Sequence, residues 1–122
     1  LPVRIKDFAG PWATGNLEAL PPIRLSPEPA DGPQGIRSLE YIEPLNSFLV
    51  ITGKTVESSK APFTLYEWDG KETGELRRLP LTFTPNMRPE GMTAGTIGGK
   101  PALLFVDDAG GFQAVGLNTL RQ

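Results

Sequence analysis

Dense apolar runs recur along this chain, each preceded by a similar stretch. Arg37-Ser38-Leu39-Glu40-Tyr41 leads to Ser47-Phe48-Leu49-Val50-Ile51-Thr52-Gly53, and Arg88-Pro89-Glu90-Gly91-Met92 leads to Ala102-Leu103-Leu104-Phe105-Val106-Asp107-Asp108. A repeat of roughly fifty residues built from short strands is the spacing of large propeller blades. Ile36 to Ile42, Ser47 to Thr52, Phe63 to Trp68 and Glu75 to Leu81 read as four successive strands. In the third, Phe63, Leu65 and Glu67 alternate with Thr64, Tyr66 and Trp68, which gives it two different faces. The second, Phe48-Leu49-Val50-Ile51, is apolar on both sides and needs a layer above and below it. Outside a proline-broken N-terminal region, no stretch of helical length carries helical spacing.

After Leu81 the pattern restarts with Glu90 to Ile97, a Gly98-Gly99 hairpin turn, Ala102 to Val106 and a shorter run from Phe112 to Leu117. Upstream, Leu17-Glu18-Ala19-Leu20-Pro21 parallels Leu76-Arg77-Arg78-Leu79-Pro80. The expected organisation is one all-β segment of four-stranded, propeller-type blades. Residues 1–26 form the outer half of one blade, 35–82 a complete blade and 86–117 most of the next. Ser26 to Pro33, rich in proline, reads as a surface connection between blades. A closed propeller needs at least about four blades. The expectation is therefore an excerpt of a larger ring; self-assembly of several copies, or a small two-layer β domain with protected edges, are the alternatives.

Composition narrows the chemistry. The chain has 122 residues, enough to bury about two thirds of its unfolded surface in one domain. Its 14 glycines and 13 prolines read as turn punctuation between short strands, because the apolar fraction of 39% suffices for a core. Net charge is −2 with no basic block, which argues against nucleic acid as a partner. Apolar runs are too short for a membrane-spanning helix. No leader peptide is visible, but Leu1 is not an initiating methionine, so processing or excision is expected. With no cysteine and no histidine, disulfides, thiolate nucleophiles, Ser-His-Asp catalysis and histidine-ligated zinc are excluded within these residues. No motif dictates a reaction.

Gly35-Ile36-Arg37-Ser38-Leu39-Glu40-Tyr41, Phe63-Thr64-Leu65-Tyr66-Glu67-Trp68-Asp69-Gly70 and Arg88-Pro89-Glu90-Gly91-Met92 resemble a bacterial family of uncharacterised function. The resemblance runs over roughly residues 33–110. It implies a propeller of about three hundred residues when complete, often exported to the periplasm or beyond. Pro89-Glu90-Gly91 and Asp107-Asp108 are also similar to the wider group of propellers that includes esterase-like phytases. The resemblance implies a fold and no established activity.

Two carboxylate sets carry the candidate chemistry. Glu40 and Glu90 occupy matching places in successive first strands, where both can face a central channel and hold Ca²⁺, a hard cation that takes oxygen ligands. The simpler reading is that Glu40 pairs with Arg37 or Arg88 and pins neighbouring blades together. Asp107-Asp108 ends a strand at a rim, where it can join a Ca²⁺ site or form an ordinary Asp-rich turn. Trp12, in Gly10-Pro11-Trp12-Ala13, is a candidate aromatic contact for a sugar or peptide, or else a lid on a core edge. Trp68 is expected between blades, Gly98-Gly99-Lys100 as a hairpin rather than a phosphate loop, and Ser58-Ser59-Lys60 as a loop with no adjacent base. The functional expectation is a non-enzymatic binding or scaffold module that recognises a protein, small molecule or carbohydrate on one rim, with Trp12, Arg37, Glu40, Arg88 and Glu90 as contacts. The alternative is a Ca²⁺-dependent phosphoesterase or esterase with Glu40, Glu90, Asp107 and Asp108 around the metal.

Overall fold

The run Ser47–Lys54 forms the most deeply buried strand, with Leu49, Val50 and Ile51 fully shielded from water. In the computed structural model, which describes residues 1–121, it is β4 of a four-stranded antiparallel meander. Its neighbours are β3 (Gln34–Ile42), β5 (Thr64–Trp68) and the short β6 (Arg77–Arg78), in the order β3-β4-β5-β6. A second antiparallel meander, β7 (Pro89–Ile97), β8 (Lys100–Asp107) and β9 (Phe112–Gly116), repeats the first three strands. Upstream, β1 (Val3–Ile5) and β2 (Leu17–Ala19) form a separate two-stranded ladder, and the single turn of helix α1 (Leu117–Leu120) follows β9. The fold is all-β as expected, in three antiparallel sheets, none closed into a barrel. Among the described residues no helix is long and apolar enough to cross a membrane.

Strand alternation assigns the faces. On one face of the first sheet, Ile42, Leu49, Ile51 and Leu65 pack against Met92, Leu103 and Phe105 of the second, with Leu117 and Leu120 of α1 in the same core. Phe83 meets Phe105 edge-on, ring centroids 5.2 Å apart. The opposite face of the first sheet carries Val50, Tyr66 and Trp68, covered near β5 by Ile23 and Leu25 from the segment after β2. Ile23 and Leu25 fall within residues 1–26, expected as the outer half of a preceding blade, and only Ser26 to Pro33 was expected to be a plain connection. Instead, Ser26 bridges Glu75 in parallel, donating its backbone N–H to the Gly74 carbonyl at 3.2 Å. The Glu28 N–H reaches the Tyr66 hydroxyl at 3.1 Å. Gly74, with φ of +68°, permits this approach, because any side chain there would run into the Arg24 carbonyl.

The two meanders share a detail that fixes their equivalence. The β3–β4 register shifts between Ile36 and Ser38, and the β7–β8 register shifts between Pro89 and Gly91. Arg37 and Glu90 are therefore the corresponding bulge residues. Counting onward, Leu39 corresponds to Met92 and Glu40 to Thr93; across the ladders, Leu49 corresponds to Leu104 and Ile51 to Val106. The sequence expectation that Glu40 matches Glu90 is off by three residues. Similar letters suggested it, and a bulge with no sequence signature of its own displaced the true register.

Other differences are local. The strand expected over Glu75 to Leu81 is reduced to Arg77–Arg78. The run expected to reach Leu117 ends at Gly116, where Leu117 and Leu120 turn into the core as α1. Gly98 and Gly99 close the β7–β8 hairpin with φ of +57° and +75°, the left-handed pair a two-residue turn requires.

Candidate functional site

The ends of the two sheets meet at one rim in a cleft of about 470 Å³ lined by Arg37, Lys54, Glu57, Phe63, Arg88, Glu90 and Asp108, among others. Backbone features position these groups. Arg37 and Glu90 sit on the two bulges, which turn their side chains out of the regular alternation, and they form an ion pair across the gap between β3 and β7. The Arg37 Nε also donates to the Pro89 carbonyl at 3.4 Å. The Arg37 guanidinium lies 5.6 Å from the centroid of the Phe63 ring, within cation–π range. Gly53 makes room for that ring, since a methyl group at its Cα would overlap the Phe63 side chain.

Lys54 ends β4, and Glu57 follows in the β4–β5 connection. Arg88 donates to both Glu57 oxygens, at 2.6 and 3.0 Å, in a fork-to-fork arrangement, and the Lys54 Nζ adds a contact at 3.2 Å. The Arg88 hydrogen bonds, helped by Lys54, hold the Glu57 carboxyl below the ordinary glutamate range. The carboxylate is fully solvated, so this pair is readily exchanged for other partners. Asp108 lies in the cleft and makes no ion pair among the described residues. Three cationic and three anionic side chains thus face one another beside an aromatic wall.

The expected site residues separate accordingly. Arg37, Arg88, Glu90 and Asp108 come together at this rim. Glu40 does not; it is exposed within β3, opposite Leu49. The expected pairing of Glu40 with Arg37 or Arg88 is replaced by Arg37–Glu90 and Arg88–Glu57, because the bulges bring Arg37 and Glu90 to the same edge. Asp107 takes the turn-forming role. One of its carboxylate oxygens accepts from the N–H groups of Ala109 at 2.9 Å and Gly111 at 2.8 Å, closing the β8–β9 connection. Trp12 projects from the β1–β2 connection, 87% exposed and far in sequence from any cleft residue. Trp68 is buried on the outward face of the first sheet, in one cluster with Ile23 and Leu25, its indole N–H donating to the Lys71 carbonyl at 3.0 Å. The Ser59 hydroxyl is committed to the Pro33 carbonyl at 2.8 Å. Among the described residues, no group of three or more acidic side chains is gathered as a metal cage.

Sequence reasoning did not single out Lys54, Glu57 or Phe63. A signal was available: Lys54 to Glu57 follows the second strand of its meander just as Asp107-Asp108 follows the second strand of the next.

A second charged cluster lies at the opposite rim. Glu67, 12% exposed, accepts from the Ser47 hydroxyl at 2.6 Å, from Arg77, and from Arg121 at 3.0 Å; Arg121 also donates to the Leu45 carbonyl at 2.9 Å. Burial pushes the Glu67 carboxyl up, but the bonds from Ser47, Arg77 and Arg121 together outweigh it and hold it below the ordinary range. This cluster ties the chain after α1 to the first sheet and reads as structural.

Compared with protein-family models, curated proteins and solved structures, the chain matches none of them.

Proposed function

We propose that the chain is a non-enzymatic recognition module built of propeller-type blades, and that it binds a charged protein or peptide segment at the rim cleft of Arg37, Lys54, Glu57, Phe63, Arg88 and Glu90. The propeller reading is supported by two meanders stacked face to face, with their first strands β3 and β7 side by side and their later strands stepping outward. The observation that carries the binding reading is the convergence of six charged side chains of both signs in one open cleft. Exposed ion pairs contribute little to stability, about 0–1 kcal/mol each, so such a set is costly to explain as scaffold alone. A partner bearing both signs can replace Glu57 on Arg88 and Arg88 on Glu57 with no charge left unpaired. Phe63 supplies an apolar wall beside the charges.

The Ca²⁺-dependent hydrolase reading draws less support, because Glu90 and Glu57 are engaged by guanidinium groups and Asp107 by a turn.

The test is an array of short mixed-charge peptides, with hits titrated by fluorescence polarisation against the chain and its Arg88→Ala and Arg37→Ala variants. Expected are hits that weaken at least about tenfold in Arg88→Ala and fade from 50 to 500 mM salt, as screening over a Debye length of about 10 Å at 0.1 M demands. An array without hits, or hits indifferent to both arginines, overturns the proposal.

A further inference from the structure

The outward faces of the two-sheet stack keep exposed apolar side chains. On the first sheet, Ile36 (56% exposed) and Leu39 line, with Phe48, a groove of about 490 Å³ whose far side is formed by Leu1, Pro2, Ile23 and Leu25, while Tyr41 stands exposed against Phe48; nearer β5, Val50, Tyr66 and Trp68 are already covered. On the second sheet, Leu104, Val106 and Phe112 (73% exposed) stand among the small residues Gly95, Ala114 and Gly116.

The bulge equivalence shows what these faces fit. Leu49 and Ile51 are buried in the interface between the sheets, and their counterparts on the second sheet are the exposed Leu104 and Val106. Conversely, Met92 is buried in that interface, and its counterpart on the first sheet is the exposed Leu39. Each open face therefore corresponds to one side of the contact already made inside the chain. The charged side chains on these faces lie at their margins: Lys54 and Arg78 on the first sheet, paired with Glu57 and Glu28, and Lys100 at the hairpin tip of the second, so the apolar centres meet without burying an unpaired ion.

We infer that the partner of these faces is a second copy of this chain, stacked head to tail, with Ile36, Leu39 and Tyr41 of one copy against Leu104, Val106 and Phe112 of the next. The contact repeats the internal sheet-on-sheet packing. Because it joins two different surfaces, it is heterologous, and successive copies close a ring or extend a filament. The rim cleft is not needed for it.

Sedimentation of the full chain over a hundredfold concentration range tests this, alongside Leu39→Asp and Phe112→Asp, each checked for native circular dichroism and melting. The expected result is concentration-dependent assembly of the unmodified chain, a monomer for each variant alone, and a discrete one-to-one dimer when the two variants are mixed, because each keeps one intact face. Should either variant fail to fold, Leu39→Cys and Ala114→Cys versions of this cysteine-free chain replace them, and the expected product on oxidation is the mixed disulfide in excess of either homodimer. An unmodified chain that stays monomeric throughout overturns the inference. So does a single variant that still dimerises, or homodimeric disulfides that match or exceed the mixed one, since these mark a symmetric contact.

Discussion

Replacing Glu67 by glutamine isolates the charge at the centre of the second rim. The substitution keeps an oxygen for the Ser47 hydroxyl but removes the charge that Arg77 and Arg121 answer. Both arginines are about half exposed, so each pair contributes at the level of a surface ion pair, about 0.5 kcal/mol. The Ser47 bond is short and sheltered, and loses a further ~0.5–1 kcal/mol, the difference between a charged and a neutral acceptor. The sum, about 1.5–2 kcal/mol at neutral pH, corresponds to a melting point lower by about 6–8 °C for a domain of this size. The pH dependence follows from the lowered native pKa. An unfolded glutamate titrates near about 4.3, so the contribution is complete above that value and is lost as pH falls through the lower native one. Melting curves of Glu67→Gln and the unmodified chain should therefore lie apart at pH 7 and draw together as pH falls below about 4.3. A gap that does not narrow on acidification, or a variant that melts higher at pH 7, refutes the assignment of a stabilising carboxylate.

Phe105→Ala, which empties the centre of the inter-sheet core, should cost about 3–5 kcal/mol in urea unfolding, with a coupling to Phe83 of about 0.5–1.5 kcal/mol in a double-mutant cycle. Gly53→Ala should cost about 1–3 kcal/mol by displacing the Phe63 ring, and adding Phe63→Ala should restore part of that loss; a double variant less stable than both single ones refutes the packing argument. Millimolar Ca²⁺ should leave the melting point unchanged, and a rise that Asp108→Ala abolishes would instead place a cation at the rim.

The strands were legible because strand physics is local. Alternation marked the two faces of β5, continuous apolarity marked β4 as buried on both, and Gly98-Gly99 announced a hairpin. The weak outer strand was less so: Leu76-Arg77-Arg78-Leu79 has a strand-like pattern, yet only Arg77 and Arg78 pair with β5. Its edge is bordered instead by the proline-rich segment through Ser26, a contact set by tertiary packing that no local pattern encodes.

For the site, the limiting quantity was register. Four of the seven candidate residues reach the cleft, because strand starts and strand ends of one polarity gather at one rim whatever their exact pairing. Which of them pair was not legible. A bulge adds one residue to one strand and reverses the direction of every side chain beyond it, so matching letters at a fifty-residue spacing cannot say whether Glu40 or Arg37 corresponds to Glu90. The same displacement decides the energetics. Aligned by letters, two carboxylates share a place and invite a cation. Aligned by bulges, a guanidinium and a carboxylate share it, and they neutralise one another across the seam between the sheets. A cleft built on that second alignment answers to partners that exchange ion pairs, which is why salt and arginine substitutions, rather than chelation, are the perturbations that bear on it.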